Sequence, residues 1–240
     1  MNTWFEAGHV AIVTGGSRGL GKALAHELLA MGVRVIIDGR DPGVLAAAYG
    51  ELRSVGDLTA IAGDVADSDH AHALIDAARK LGRLDLLVNN ASTLGAVPLP
   101  RIDELTHEAF DALFDVNVFA PIHLIQHALP LMYRTGFGTI VNITSDAGVE
   151  AYPAWGGYGA TKAALEHVSR VLAAELEGSN IRILVADPGD MNTQMHRDAI
   201  PDANPNDLRD PAGVARGLLH AIAHMQTPYE RVRVSDGVPA

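Results

Sequence analysis

The chain has 240 residues, 48% hydrophobic and 20% charged, with 24 glycines, no cysteine and a formal net charge of −11. That size supports one sizeable core, so a single α/β domain over residues 1–240 is expected rather than two small ones. The missing thiols exclude disulfides and thiolate chemistry, and the acidic balance disfavours non-specific binding to nucleic acid or an anionic membrane. No apolar run approaches the roughly 20 residues of a membrane span. The opening Met1-Asn2-Thr3-Trp4-Phe5-Glu6 lacks the basic and apolar parts of a signal peptide. The expectation is a cytoplasmic protein with neither nucleic acid nor membrane as partner.

Residues 10–14 form a short apolar run rich in β-branched side chains. Gly15-Gly16-Ser17-Arg18-Gly19-Leu20-Gly21 follows at once, then a helical pattern over 22–31. Strand, glycine-rich turn and helix make a nucleotide-binding βα unit. Gly15 permits the sharp turn, Gly19 and Gly21 permit close approach of backbone to phosphate and of helix to sheet, and the helix start offers free N–H groups to a pyrophosphate. The spacing is Gly-x-x-x-Gly-x-Gly, not Gly-x-Gly-x-x-Gly.

Alternation continues with strands over 33–37, 58–62 and 84–88 and helices over 45–55 and 68–81. Further helices are expected over 106–113, 118–132 and 158–176, and further strands over 139–144, 181–186 and 229–234. Such a chain predicts a doubly wound, Rossmann-like parallel sheet of about seven strands with helices on both faces, binding ligands at the carboxyl ends of the strands. The second strand ends Ile36-Ile37-Asp38-Gly39-Arg40. An acid there would accept from a ribose 2′-hydroxyl, whereas Arg40, joined by Arg18, would meet a 2′-phosphate. The phosphorylated dinucleotide is favoured, and Asp38 remains the competing reader. Asp64 and Val65 after the third strand, and Asn89-Asn90-Ala91-Ser92 after the fourth, stand where a cofactor would pass, although such residues are also common turn formers.

Tyr158 and Lys162 are four apart, on one face of a helix. A Lys cation beside a phenol stabilises the phenolate and brings it toward the working range, and Ser145 could orient a carbonyl oxygen beside it. Alone, Tyr-x-x-x-Lys is an ordinary amphipathic pair; a hydride partner makes it chemistry. His123 and His127 share a helix face without a third ligand at useful spacing, so no metal site is expected. Residues 202–210 read as a solvated loop.

Together, Thr14 to Gly21, Asp64-Val65, Asn89-Asn90-Ala91, Asn117, Ser145, Tyr158 with Lys162, and Pro188-Gly189 leading to Thr193 resemble the short-chain dehydrogenase/reductase family in its short, single-domain form. The resemblance implies Tyr158 as proton donor and acceptor and Ser145 as holder of the substrate oxygen. It implies Lys162 on the nicotinamide ribose, lowering the Tyr158 pKa, and Asn117 supporting a water beyond Lys162. Asn90, Asp64 and Val65 would line the adenosine side, and Met191 and Thr193 would meet the carboxamide. Arg18, before the middle glycine, again favours NADP(H) over NAD(H). Ser92 replaces the family's usual glycine, and Met191 a more usual Val or Ile.

Val149, Tyr152, Pro153 and Trp155 would border the substrate, with Trp155 against a neighbouring subunit as the alternative. Residues 194–208 match the family's mobile lid, with Met195, His196 and Ile200 over the ligand. The family's glycine-rich ending is curtailed after Ser235-Asp236-Gly237 to Val238-Pro239-Ala240. A homodimer through the helices near 118–132 and 158–176, or a homotetramer, is implied. The function expected is reduction of a small ketone or aldehyde by NADPH. An NAD-dependent alcohol dehydrogenase reading through Asp38, and a catalytically silent dinucleotide sensor or scaffold, are the alternatives.

Overall fold

The computed structural model describes residues 6–235. The opening residues 1–5 and the curtailed ending 236–240 lie outside the described residues. Seven strands form one parallel sheet in the order β3-β2-β1-β4-β5-β6-β7. They are β1 Val10–Val13, β2 Arg34–Gly39, β3 Leu58–Ala62, β4 Leu86–Asn89, β5 Gly138–Ile143, β6 Ile181–Asp187 and β7 Tyr229–Arg233. The order reverses between β1 and β4, where a doubly wound sheet opens a crevice.

Two apolar layers sandwich the sheet, because successive strand residues point to opposite faces. Ala11, Val13, Val35 and Ile37 pack with α1 (Gly19–Ala30), α2 (Pro42–Leu52) and α8 (Pro211–Ala223), through Leu24, Leu28, Leu45, Leu218 and others. Val10, Ile12 and Ile36 turn the other way. They meet Leu74 and Ile75 of α3 (Ser68–Lys80), Leu124 and Met132 of α5 (Ala120–Thr135), and Leu176 just past α6 (Gly156–Glu175).

Most element bounds shift from the sequence expectation by a few residues, and three differences are larger. The expected helices near 106–113 and 118–132 are one continuous rod, α4 (His107–Phe114) and α5 joined through a π turn at Asp115–Phe119. The wider turn carries Asn117. Residues 211–223, unassigned from the sequence, form α8. Asp210, read as part of a solvated loop, caps it by accepting from the Gly213 N–H at 3.3 Å, with Pro211 at the first helical position. The segment 194–208 carries its own short helix, α7 (Gln194–Ala199), capped by Thr193, whose hydroxyl accepts from the His196 N–H.

Candidate active site

A cavity of about 470 Å³ runs along the carboxyl ends of the strands. Its walls include, of the residues singled out above, Gly15, Ser17, Arg18, Gly19, Leu20, Asp38, Arg40, Asp64, Val65, Asn90, Ala91, Ser145, Tyr158, Lys162, Pro188, Met191 and Thr193. Gly21 and Asn117 stand behind the walls.

The phosphate loop fits a dinucleotide on its own geometry. Gly15 and Gly19 adopt left-handed φ of 64° and 54°, which side chains disfavour. A Cβ on Gly21 would stand 2.4 Å from the Gly15 carbonyl oxygen and 2.6 Å from Asn90 Nδ2. The bare backbone therefore lets α1 begin against the loop, with its unpaired N–H groups toward the cavity. Asn90 lines the cavity and also braces the loop, its amide donating to the Thr14 carbonyl at 2.8 Å. Asp64 Oδ1 accepts from the Ala66 N–H at 3.0 Å, an Asx turn that shapes the wall after β3.

The catalytic candidates converge from three elements. Ser145 follows β5; its hydroxyl donates to Asp146 Oδ1 at 3.0 Å and accepts from the Ala147 N–H at 3.2 Å. Tyr158 and Lys162 stand one turn apart on α6, with Lys162 Nζ 5.3 Å from the Tyr158 ring centre. Lys162 Nζ donates to the Ile143 carbonyl at 2.9 Å. Its burial pushes the ammonium pKa down to about 8.

Tyr158 is 8% exposed in the same wall. Burial pushes the phenol well above its ordinary value, and the carboxylates of Asp187 and Asp146 add to the rise. Burial disfavours the charged form of both groups, the phenolate of Tyr158 and the ammonium of Lys162.

Asn117, 1% exposed, has its whole side chain committed. Oδ1 accepts from Ser92 Oγ at 3.0 Å and from the Thr93 N–H at 2.8 Å. Nδ2 donates to the Thr93 carbonyl at 2.9 Å and to Thr161 Oγ1 at 3.1 Å. The amide thus ties the loop after β4 to α6.

Trp155 lines the cavity and meets Tyr158 edge-on at 5.7 Å. The preceding Ala154 holds a left-handed φ of 69°, a costly conformation for a residue with a Cβ, and sets the turn that aims the indole. Tyr152 and Val149 are exposed and do not line the cavity. From 194–208, Met195 and His196 reach the wall and Ile200 does not. Sequence reasoning missed Asp146, Asp187 and Asp190, which also line it. The available signal was position: each adjoins Ser145 or the Pro188-Gly189 turn. Asp187 is 3% exposed, and burial pushes its carboxyl pKa up.

The family model described as short chain dehydrogenase matches residues 9–204. A rhamnolipid-biosynthesis 3-oxoacyl-[acyl-carrier-protein] reductase of Pseudomonas aeruginosa is 37% identical over 204 residues, covering 82% of this chain and 78% of that one. A tropinone reductase homolog of Arabidopsis thaliana is 36% identical over 183 residues, 75% of this chain and 67% of the other.

Among solved structures, a 7α-hydroxysteroid dehydrogenase complexed with NADH and 7-oxo glycochenodeoxycholic acid superposes with a TM-score of 0.86 at 27% identity, covering 99% and 97% of the two chains. A metagenomic short-chain oxidoreductase in complex with NADP gives 0.80 at 29%, covering 96% and 99%. One neighbour holds the plain cofactor and the other the phosphorylated one. No described helix is long and apolar enough to cross a membrane. With the glycine cradle, the parallel sheet and these likenesses in agreement, the chain belongs to the short-chain dehydrogenase/reductase family and is an NAD(P)-dependent oxidoreductase.

Proposed function

We propose that the protein is an NADPH-dependent reductase of a small ketone or aldehyde, with the alcohol as the reverse substrate. The observation that carries this reading is the Tyr158 phenol, buried in the wall of the cavity that also holds the phosphate cradle, with Ser145 and Lys162 lining the same cavity. A bound dihydronicotinamide supplies the hydride. Ser145 holds the substrate oxygen, and Tyr158 Oη gives that oxygen its proton. Lys162 spends one N–H on Ile143 and has the others for a ribose hydroxyl. Asn117 keeps the wall of the pocket at its distance from α6.

The adenosine end favours the 2′-phosphate. Arg18 and Arg40 are exposed and line the cavity. Among the described residues neither guanidinium has an ion-pair or side-chain hydrogen-bond partner, so both are free for a phosphate. Asp38, the competing reader, has both carboxylate oxygens engaged within the fold. Arg40→Ala is expected to weaken NADPH binding about 10–100-fold and to move NADH by no more than about twofold. Nicotinamide fluorescence titrations of wild type and variant measure both, and carbonyl-dependent NADPH oxidation tests turnover. NADH binding as tightly as NADPH in the wild type would overturn the assignment in favour of the NAD-dependent alternative, and binding of neither would refute the activity.

One domain performs both binding and chemistry in this reading, and a cysteine-free chain suits the cytoplasm. The assembly is a homodimer or homotetramer through α5 and α6. Phe119, Tyr133 and Val171 support it, being large apolar side chains 48%, 54% and 45% exposed in or beside those helices. Light scattering should give a multiple of the 25.3 kDa chain mass; a monomer at micromolar concentration would contradict it.

A further inference from the structure

The carboxylate at the end of β2 borders the cavity but is buried within the fold. Asp38 is 1% exposed. Its Oδ1 accepts from the Gly15 N–H at 2.6 Å, and its Oδ2 lies 3.0 Å from Nε2 of His70. His70, 7% exposed, is the third residue of α3. Its ring fills the space beside the loop after β3, where a Cβ on Gly63 would stand 2.1 Å from His70 Nδ1. A line of contacts therefore runs from Gly63 through His70 and Asp38 to Gly15, linking the turns after the third, second and first strands.

The next position offers no substitute acid. A Cβ on Gly39 would lie 2.9 Å from both Cβ and Oγ of Ser17, so a side chain there collides with the phosphate loop. The direction of Asp38 thus decides what the adenosine ribose meets. A carboxylate with a free oxygen accepts from a 2′-hydroxyl and repels a 2′-phosphate dianion. One whose oxygens already have donors does the first poorly and leaves the field at the rim to arginines.

We propose that His70 is a positioning residue that sets cofactor preference: by pinning Asp38 beneath the phosphate loop, it withdraws that carboxylate from the ribose and leaves Arg18 and Arg40 to face a 2′-phosphate. This rests on the NADP(H) reading given above. It assigns to a residue of α3, away from the arginines that would touch the phosphate, control over which dinucleotide binds.

The test is a set of dissociation constants for NADPH and NADH, read by nicotinamide fluorescence and independent of turnover. His70→Asn, whose amide falls short of the carboxylate, is expected to lower the NADPH-to-NADH affinity ratio about tenfold, the scale of one charge contact at a partly open site. His70→Gln, whose amide reaches the Nε2 position, should keep the ratio. Adding Asp38→Asn to His70→Asn should restore it, because the released charge is then gone. Parallel weakening of both cofactors by His70→Asn, with the ratio unchanged, would reduce His70 to packing and overturn the proposal. So would a fallen ratio that persists in the double variant.

Asp38→Asn alone keeps both hydrogen bonds available and covers the case in which the His70 variants do not fold. It is expected to hold the wild-type ratio within about twofold, and a roughly tenfold gain in NADPH preference would mean that the carboxylate had faced the ribose all along. Failure of the underlying reading shows separately, as a wild type that prefers NADH before any substitution is made.

Discussion

Tyr158→Phe is expected to lower kcat for NADPH-linked carbonyl reduction by about 10²–10⁴-fold while leaving NADPH affinity nearly unchanged. The substitution removes only the hydroxyl. The ring that packs with Leu94 and Ala147 and meets Trp155 edge-on stays, so the cavity wall keeps its shape. What is lost is the hydroxyl that carries the proton. The direction of the phenol's pKa shift has a second consequence, because a raised pKa keeps the donor loaded through the neutral range. Reduction should therefore be flat with pH around neutrality, whereas alcohol oxidation, which needs the phenolate as base, should climb as pH rises. Steady-state rates in both directions, with a fluorescence titration of the variant, check the prediction. Unchanged turnover in Tyr158→Phe would remove Tyr158 as the proton donor.

Lys162→Met should give the opposite pairing, an inactive protein that is more stable than the wild type at pH 7. Lys162 is 2% exposed, and its pKa falls from 10.5 to about 8 on burial. Below pH 8 both folded and unfolded chains carry the proton, and the folded one carries it at a cost of about 3 kcal/mol. Between about 8 and 10.5 the folded protein has released a proton that the unfolded chain still binds, so unfolding free energy rises with pH across that window. Met fills similar space without the charge. It leaves the Ile143 carbonyl without its donor, which takes back about 1–2 kcal/mol. The net gain expected at neutral pH is about 1–2 kcal/mol, a few degrees in Tm, and the rise above pH 8 should vanish. Urea unfolding of both proteins across pH 6–10 measures this, and a variant less stable than the wild type at pH 7 would refute it. The lysine is then a case of stability given up for a site.

The strands were legible because buried parallel strands are continuous apolar runs, as in Leu86-Leu87-Val88. The βα rhythm and the glycine turn followed from the same pattern. α8 was not legible as a helix, because Pro211 and Gly213 in its first turn dilute the periodicity; its Asp-Pro start was the signal to use. The π turn leaves no trace in composition, since one extra residue per turn changes geometry and not polarity.

In the site, residue types were readable and their hydrogen-bond allegiances were not. Asp38, Asn90 and Asn117 all stand where the family pattern places ligand-facing groups, and their side chains also hold partners 23 to 76 positions away. Such long-range pairings have no local signature. The burial of the phenol was hidden for a related reason. A lysine one turn away is visible in sequence, whereas the dryness of the wall around both groups emerges only when β5, α6 and the loop after β4 close on each other.

The reversal of strand order between β1 and β4 also governs how this chain assembles. β1 can pair with β2 as soon as both exist, but its other edge waits for Leu86–Val88; Val10 and Asp85, joined at that seam by a 2.8 Å hydrogen bond, are 75 positions apart. On a ribosome adding about 5–20 residues each second, that interval leaves an apolar half-sheet with an open edge for several seconds. Refolding should likewise be limited by closing this long-range seam. The phosphate loop hangs from one side of the seam and Asn90 from the other, so the nucleotide cradle exists only after β1 and β4 have paired.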